Sequence, residues 1–165
     1  VHTRILEPKH GPTLLVRPLR RGDVRTLSAV FERLGSESRR RRFNGAKPYL
    51  SEAELRQLAA VDANNHALVA YVAHDTEPVA IARLRRDGDT AEIAFAVADD
   101  YQQRGIGAAL TAELIADARA AGIREITALV ASDNPAALAL LRRALSVLEI
   151  DLQGPELWIR AALAG

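Results

Sequence analysis

The sequence contains no cysteine. Disulfides, thiolate metal sites and cysteine nucleophiles are thereby excluded. It has no apolar run near the roughly 18 residues that a membrane-spanning helix needs. Its first residues, VHTRILEPKHGPTLLV, carry charges where a secretory signal needs an apolar stretch. A soluble, cytoplasmic setting is the expectation. Lysine is scarce: Lys9 and Lys47 are the two present, so arginine carries nearly all of the positive charge. A chain of 165 residues, 48% hydrophobic and 26% charged, suits one domain with a sizeable core.

Net charge is +1, unevenly spread. Residues 1–47 carry twelve Lys/Arg against four Asp/Glu, and the remainder ten against seventeen. The basic part includes RRRR at 39–42. Such a run suits an acidic partner, a nucleic acid or a nucleotide phosphate, with a solvated helix face as the plainer reading. Nucleic acid is not the expected partner.

Residues 1–11 read as an irregular leader, and 12–165 as a single domain without repeats or linkers. Residues 13–20, TLLVRPLR, alternate enough for a first strand. Asp23 is placed to cap a helix through VRTLSAVFERL, whose apolar residues recur at three- and four-residue spacing. SESRRRRFNG predicts a short helical piece. Ser51 with Glu54 forms a capping box that opens another helix, ending near Val61. Residues 66–74, 77–87 and 90–98 then read as strands with short turns, an antiparallel meander. A helix over about 105–121 stops at Gly122. The strand EITALVA follows, then a helix opened by Asn134 and Pro135, then two strands around Gly154 and Pro155. The predicted order is β-α-α-β-β-β-α-β-α-β-β, an α+β mixed sheet with helices on its faces.

The stretch YQQRGIGAALTAEL, 101–114, places Gly105 and Gly107 at the mouth of a helix behind Arg104. The first N–H groups of a helix lack internal partners and carry a partial positive charge, which makes that end a cradle for an anion. Glycines there leave a phosphate room to approach. No Walker loop, G-x-x-x-x-G-K-[ST], occurs in the chain. GIGAAL has Leu110 where a dinucleotide fold needs its third small residue, and a meander precedes the loop. G-x-G alone does not separate a ligand loop from a plain helix start.

QQRGIG has the form Q-x-x-G-x-G, after the third meander strand, and NPAALALL opens the next helix with Asn134. Together with the element order, these stretches resemble the GCN5-related N-acetyltransferases (GNAT) over roughly residues 13–163. The resemblance implies acetyl-CoA as cosubstrate and no metal. It implies a pyrophosphate on Gln102, Gln103, Arg104, Gly105, Ile106, Gly107 and Ala108. The pantetheine arm would pair with Phe95, Ala96 and Val97, in a cleft where that strand and EITALVA splay apart. Asn134 would reach the coenzyme from the next helix. An amine would attack the thioester directly, with a strand N–H polarising its carbonyl.

An attacking amine must lose a proton, since a lysine with a pKa near 10.4 is almost wholly protonated at neutral pH. Glu92 is the candidate general base. It interrupts the apolar pattern AEIAFAV. Alternation puts Glu92, Ala94 and Ala96 on one face, and Ile93, Phe95 and Val97 on the other. The alternative is an exposed carboxylate or an ion pair with Arg83 or Arg85. The resemblance places a general-acid tyrosine seven residues after the helix-opening asparagine, but Leu141 stands there. Tyr49, Tyr71 and Tyr101 lie elsewhere, which leaves Ser132, water or no acid.

SESRRRRFNG, YLSEAEL, VD at 61–62, HALVA at 66–70 and the A-E-I-A-F context look like the acetyltransferase domain of bacterial protein-lysine acetyltransferases. The expected acceptor is therefore a protein lysine. A small-molecule amine or antibiotic is the enzymatic alternative, and a non-catalytic binding module with the same fold is the alternative of another class. A monomer or homodimer is expected.

Overall fold

The computed structural model describes residues 3–8, 11–34, 50–102, 104–132 and 134–163. The readings made for 35–49, including the short helix, the four arginines and Tyr49, lie outside the described residues, as does Gln103. The elements are β1 (Arg4–Leu6), β2 (Leu14–Pro18), α1 (Val24–Glu32), α2 (Glu52–Leu58), β3 (Asn65–Val72), β4 (Ala80–Asp87) and β5 (Thr90–Val97). A single 3₁₀ turn (Asp99–Tyr101) leads to α3 (Ile106–Ala120), β6 (Glu125–Ala131), α4 (Pro135–Ala144), β7 (Ser146–Gln153) and β8 (Glu156–Ala162). This is the expected α+β order with one addition. The segment read as an irregular leader contains β1, which pairs with β2 in the register Arg4↔Val16. Three residues are too few to show alternation; the partner strand makes the element.

The strands form one sheet in the order β1-β2-β3-β4-β5-β6-β8-β7. Every neighbouring pair is antiparallel except β5 and β6. Crossing between those two requires a long connection, and α3 supplies it. Apolar residues of α3 fall on one stripe, with Ile106, Leu110, Leu114, Ile115 and Ala118 buried. They pack with Leu141 of α4 and with Ile93, Ile126 and Ile159 on one face of the sheet. On the other face, Leu27, Val30 and Phe31 of α1 and Leu55 of α2 pack over Val69, Ile81 and Ala96. Each fully buried Leu or Ile contributes about 1.5–3 kcal/mol relative to exposure.

Local chemistry sets the helix ends. Asp23 accepts the N–H of Thr26 at 3.2 Å to cap α1. Ser51 and Glu54 complete the reciprocal capping box of α2 at 3.1 and 3.2 Å. α3 closes on Gly122, whose N–H bonds to Arg119 while that of Ile123 bonds to Ala118, both at 3.0 Å. This paired arrangement satisfies the last carbonyls of the helix. Asn134 accepts the N–H of Ala137 at 3.4 Å, and Pro135 takes the first helical position of α4.

Candidate active site

β5 and β6 share three register positions, Thr90↔Glu125, Ala91↔Ile126 and Glu92↔Thr127. Beyond Glu92 the two strands part, and among the described residues Ile93–Val97 have no partner strand on that side. The ladder with β4 is complete over the same residues. The N–H of Ala98 bonds to Val79 at 2.7 Å, which assigns the β4-facing backbone groups to Glu92, Ala94 and Ala96 by alternation. Those of Ile93, Phe95 and Val97 therefore point into the opening. Ala96 lines the opening but turns its own N–H and C=O to Ile81, so the strand offers an extended arm Phe95 and Val97 rather than all three residues.

The opening widens into a cleft of about 340 Å³ that ends at the start of α3. Gly105 is the N-cap residue of that helix, at φ 78°, a left-handed conformation that favours glycine. Among the described residues no side chain caps the helix, and no acidic residue stands in its first turn. Ile106, Gly107 and Ala108 thus bring the N-terminal N–H groups to the cleft wall, with the partial positive charge of a 15-residue helix behind them. A Cβ built on Gly107 would stand 3.4 Å from Val97 Cγ2 and 3.9 Å from Leu140 Cδ1. Gly107 thus sits where α3, β5 and α4 meet, and a large side chain there would fill the cleft.

The residues before the loop are held by the protein itself. Gln102 donates its amide to the Val97 carbonyl at 3.2 Å and to Asp99 at 3.3 Å. It ties the 3₁₀ turn to the end of β5. Two guanidinium groups stand over the Tyr101 ring, Arg33 at 5.2 Å and Arg104 at 5.3 Å from its centre. Such stacking orients Arg104 beside the helix mouth while leaving its charge available. The Tyr101 hydroxyl donates to Asp75 at 3.3 Å, and Arg33 pairs with the same carboxylate at 2.9 Å. The Glu77 N–H holds the Asp75 carboxyl below its usual range against partial burial, and Arg33 lowers it further.

The cleft lining contains no carboxylate among the described residues. Its polar members are Tyr101, Gln102, Asn134 and Arg143, set among apolar side chains such as Phe95, Leu129 and Leu140. An uncharged groove with cationic and N–H groups at one end fits an anionic group that carries a long, weakly polar arm. Asn134 faces it from the start of α4. Arg143 went unnoticed in the sequence. Its spacing from Ala136 and Leu140 places all three on one helical face, and that was the available signal.

Glu92 stands at the fork itself, on the sheet face of α1 and α2, outside the cleft lining. Its side chain is 52% exposed and lies 3.7 Å from Arg85, its cross-strand neighbour. The ion pair expected as the alternative reading is therefore present, with Arg85 as the partner. Arg83 instead donates to Asn65 at 3.1 Å. A base on this face would meet an acceptor arriving from the side opposite α3 and α4. Leu141, at the position of the family's tyrosine, is fully buried in the core. The hydroxyl of Tyr71 is engaged by Arg17 at 2.7 Å, and Ser132 is exposed outside the cleft lining.

Comparison with known proteins places this architecture. The model of the Acetyltransferase (GNAT) family matches residues 31–146. The chain is 38% identical over 144 residues to the acetyltransferase Pat of Mycolicibacterium smegmatis, covering 84% of this chain and 42% of that protein. It is 35% identical over 131 residues to an acetyltransferase of Pseudomonas aeruginosa, covering 76% of this chain and 70% of that one. The solved GNAT domain of S. lividans PAT superposes with a TM-score of 0.87 at 26% identity, over 98% of this chain and 97% of that domain. The chain thus spans under half the length of the mycobacterial relative and nearly all of the isolated domain. On the family match, the two relatives and the shared fold, the chain belongs to the GNAT acetyltransferase family.

Proposed function

We propose that the chain moves an acetyl group from acetyl-CoA to a protein lysine by direct attack of the amine on the thioester. The observation that carries this reading is the fork between β5 and β6, with an anion-ready helix mouth at one end and a carboxylate on the opposite face. The coenzyme supplies an activated acyl group. Gly105, Ile106, Gly107 and Ala108 would hold its pyrophosphate on N–H groups, with Arg104 beside them and Gln102 bracing the turn. Phe95 and Val97 would align its arm through backbone bonds, and Asn134 and Arg143 would bound it from α4.

In this reading a cleft-facing N–H of β5 polarises the acyl carbonyl. Such a donor is fixed before the reaction, so it stabilises the developing oxyanion without reorganisation. Glu92 takes the proton of the incoming ammonium, directly or through one water. Among the described residues the hydroxyl in the cleft lining is that of Tyr101, which donates to Asp75 at 3.3 Å, so in this reading water protonates the leaving thiolate.

A protein acceptor is favoured by the half-exposed Glu92, which a lysine on a bulky surface reaches without entering a closed pocket. The likeness to Pat, together with the A-E-I-A-F context of Glu92, supports the same choice. The test is a comparison of acceptors at saturating acetyl-CoA: lysine-containing proteins and peptides, a polyamine and an aminoglycoside. Thiol release is followed together with mass spectrometry of the acceptor. Acetyl-lysine with matching thiol release supports the reading. Release with small amines alone moves the assignment to the small-molecule alternative, and binding without release to any acceptor moves it to a non-catalytic module.

A further inference from the structure

The N-terminal segment lies outside the cleft, yet it touches both ends of the helix that forms the cleft mouth. Arg4 on β1 donates to both carboxylate oxygens of Asp117 at 3.0 Å and to Glu113 at 3.2 Å. His66 of β3 meets the same Asp117 carboxylate at 2.9 Å. The segment is thus anchored to the C-terminal half of α3. Four residues later it reaches the other end of that helix. Four extended residues span about 13 Å. Eleven helical residues, the separation of Asp117 from Ile106, span about 16 Å. The segment therefore runs along α3 like a strap.

Its far end closes on the glycine loop. The Gly11 N–H bonds to the Pro8 carbonyl at 3.4 Å. A Cβ built on Gly11 would overlap the backbone carbonyl oxygen of Arg104. That atom belongs to the chain itself and has no rotamer by which to move aside. Pro8 Cβ lies 3.8 Å from the point where Gly105 would carry its own Cβ. Pro8 and Gly11 are therefore packed directly against the peptide that joins Arg104 to Gly105.

We infer that Arg4, Pro8 and Gly11 are positioning residues for coenzyme binding. They fix the Arg104–Gly105 peptide, and through it the left-handed turn that aims the first N–H groups of α3 into the cleft. The inference rests on the coenzyme site proposed above. Gly11 is needed because the loop backbone occupies the space of a side chain. A shift of the loop moves several donors at once, which weakens an anion more than it weakens the acyl end.

Gly11→Ala, Pro8→Ala and Arg4→Ala test this in the full chain, with two donors. Acetyl-CoA has the pyrophosphate; S-acetyl-pantetheine has the arm without it. Gly11→Ala is expected to raise the Kd for acetyl-CoA at least about tenfold. Its kcat at saturation and its rate with S-acetyl-pantetheine stay near those of the unaltered protein. Arg4→Ala and Pro8→Ala act in the same direction and less, because they loosen the strap without pushing on the loop. Equal losses with both donors, or an unchanged Kd in all three variants, would overturn the inference. Melting curves without ligand show whether Gly11→Ala still folds; where it does not, the other two variants decide by the same donor comparison. An unaltered protein that binds no acetyl-CoA removes the coenzyme reading and the strap together, whereas normal binding matched by the variants removes the strap alone.

Discussion

Glu92 sits at the last register position shared by β5 and β6, where a base can reach the opening without occupying it. Its partner Arg85 is 70% exposed, so the pair at 3.7 Å is a surface contact. Pairs of that kind contribute about 0–1 kcal/mol. The carboxylate is consequently not locked by its neighbour. Glu92→Gln keeps the shape of the side chain and removes its capacity to accept a proton. The expected result is a kcat lower by about 10²–10⁴-fold, the usual scale for a general base. The Kd for acetyl-CoA and the melting temperature should stay unchanged, as stopped-assay kinetics, calorimetry and melting curves would show. An unaltered kcat would take Glu92 out of the mechanism. The face on which Glu92 stands was legible from alternation alone, and its two candidate partners could be named from the adjacent strand. Which arginine it meets was not, because that depends on the register of two strands, set here by the turn at Gly88. The fate of Leu141 was equally hidden. A helix position can be matched to a family pattern by counting, but its burial depends on how α4 lies against the sheet.

At the scale of elements, the caps and periods were the readable part. Asp23, the Ser51–Glu54 box, Gly122 and Asn134 each act through groups within five residues, so the sequence carries the whole interaction. Strand ends were less well defined. The predicted strand 66–74 runs Asn65–Val72, because its edges are decided by neighbours rather than by its own residues. β1 was missed for the same reason, and with it the strap along α3. The start of α3 invites a graded test. Alanine at 107 would make ordinary contacts with Val97 and Leu140, at 3.4 and 3.9 Å. It also relieves the backbone entropy of a helical glycine, worth about 0.4–1 kcal/mol. Gly107→Ala should therefore fold normally and bind acetyl-CoA with little loss. Gly107→Trp cannot be accommodated at that junction without filling the cleft, and is expected to abolish binding while circular dichroism still reports the folded sheet and helices. Binding that persists in the tryptophan variant would place the pyrophosphate elsewhere.

For the whole molecule, the mixed sheet and its helical covering follow from the order of periods along the chain. The fork between β5 and β6 does not. Nothing in TAEIAFAV or EITALVA says that pairing stops after three positions, and the expectation of a splay came only through the family resemblance. The fork also sets how coenzyme binding is felt by the fold. Among the described residues it leaves one side of Ile93–Val97 without a partner strand, so a ligand arm that pairs there adds bonds the unbound fold lacks. The helix mouth is uncapped, so an anion satisfies donors that otherwise face water. Both gains belong to the folded state alone. Acetyl-CoA at a hundred times its Kd should accordingly add about 2.7 kcal/mol of stability. For a chain of this length that raises the melting temperature by roughly 5–10 °C. Free coenzyme A should give nearly the same shift, because the pyrophosphate and the arm are common to both, whereas S-acetyl-pantetheine should give much less. Raised salt should narrow the difference between the coenzymes and the short donor, since the phosphate contacts are partly exposed and screened. Equal shifts from the long and short donors would locate the binding in the arm alone. No shift at saturating concentrations would leave a family fold without its cosubstrate, and the non-catalytic binding module would become the better account of the chain.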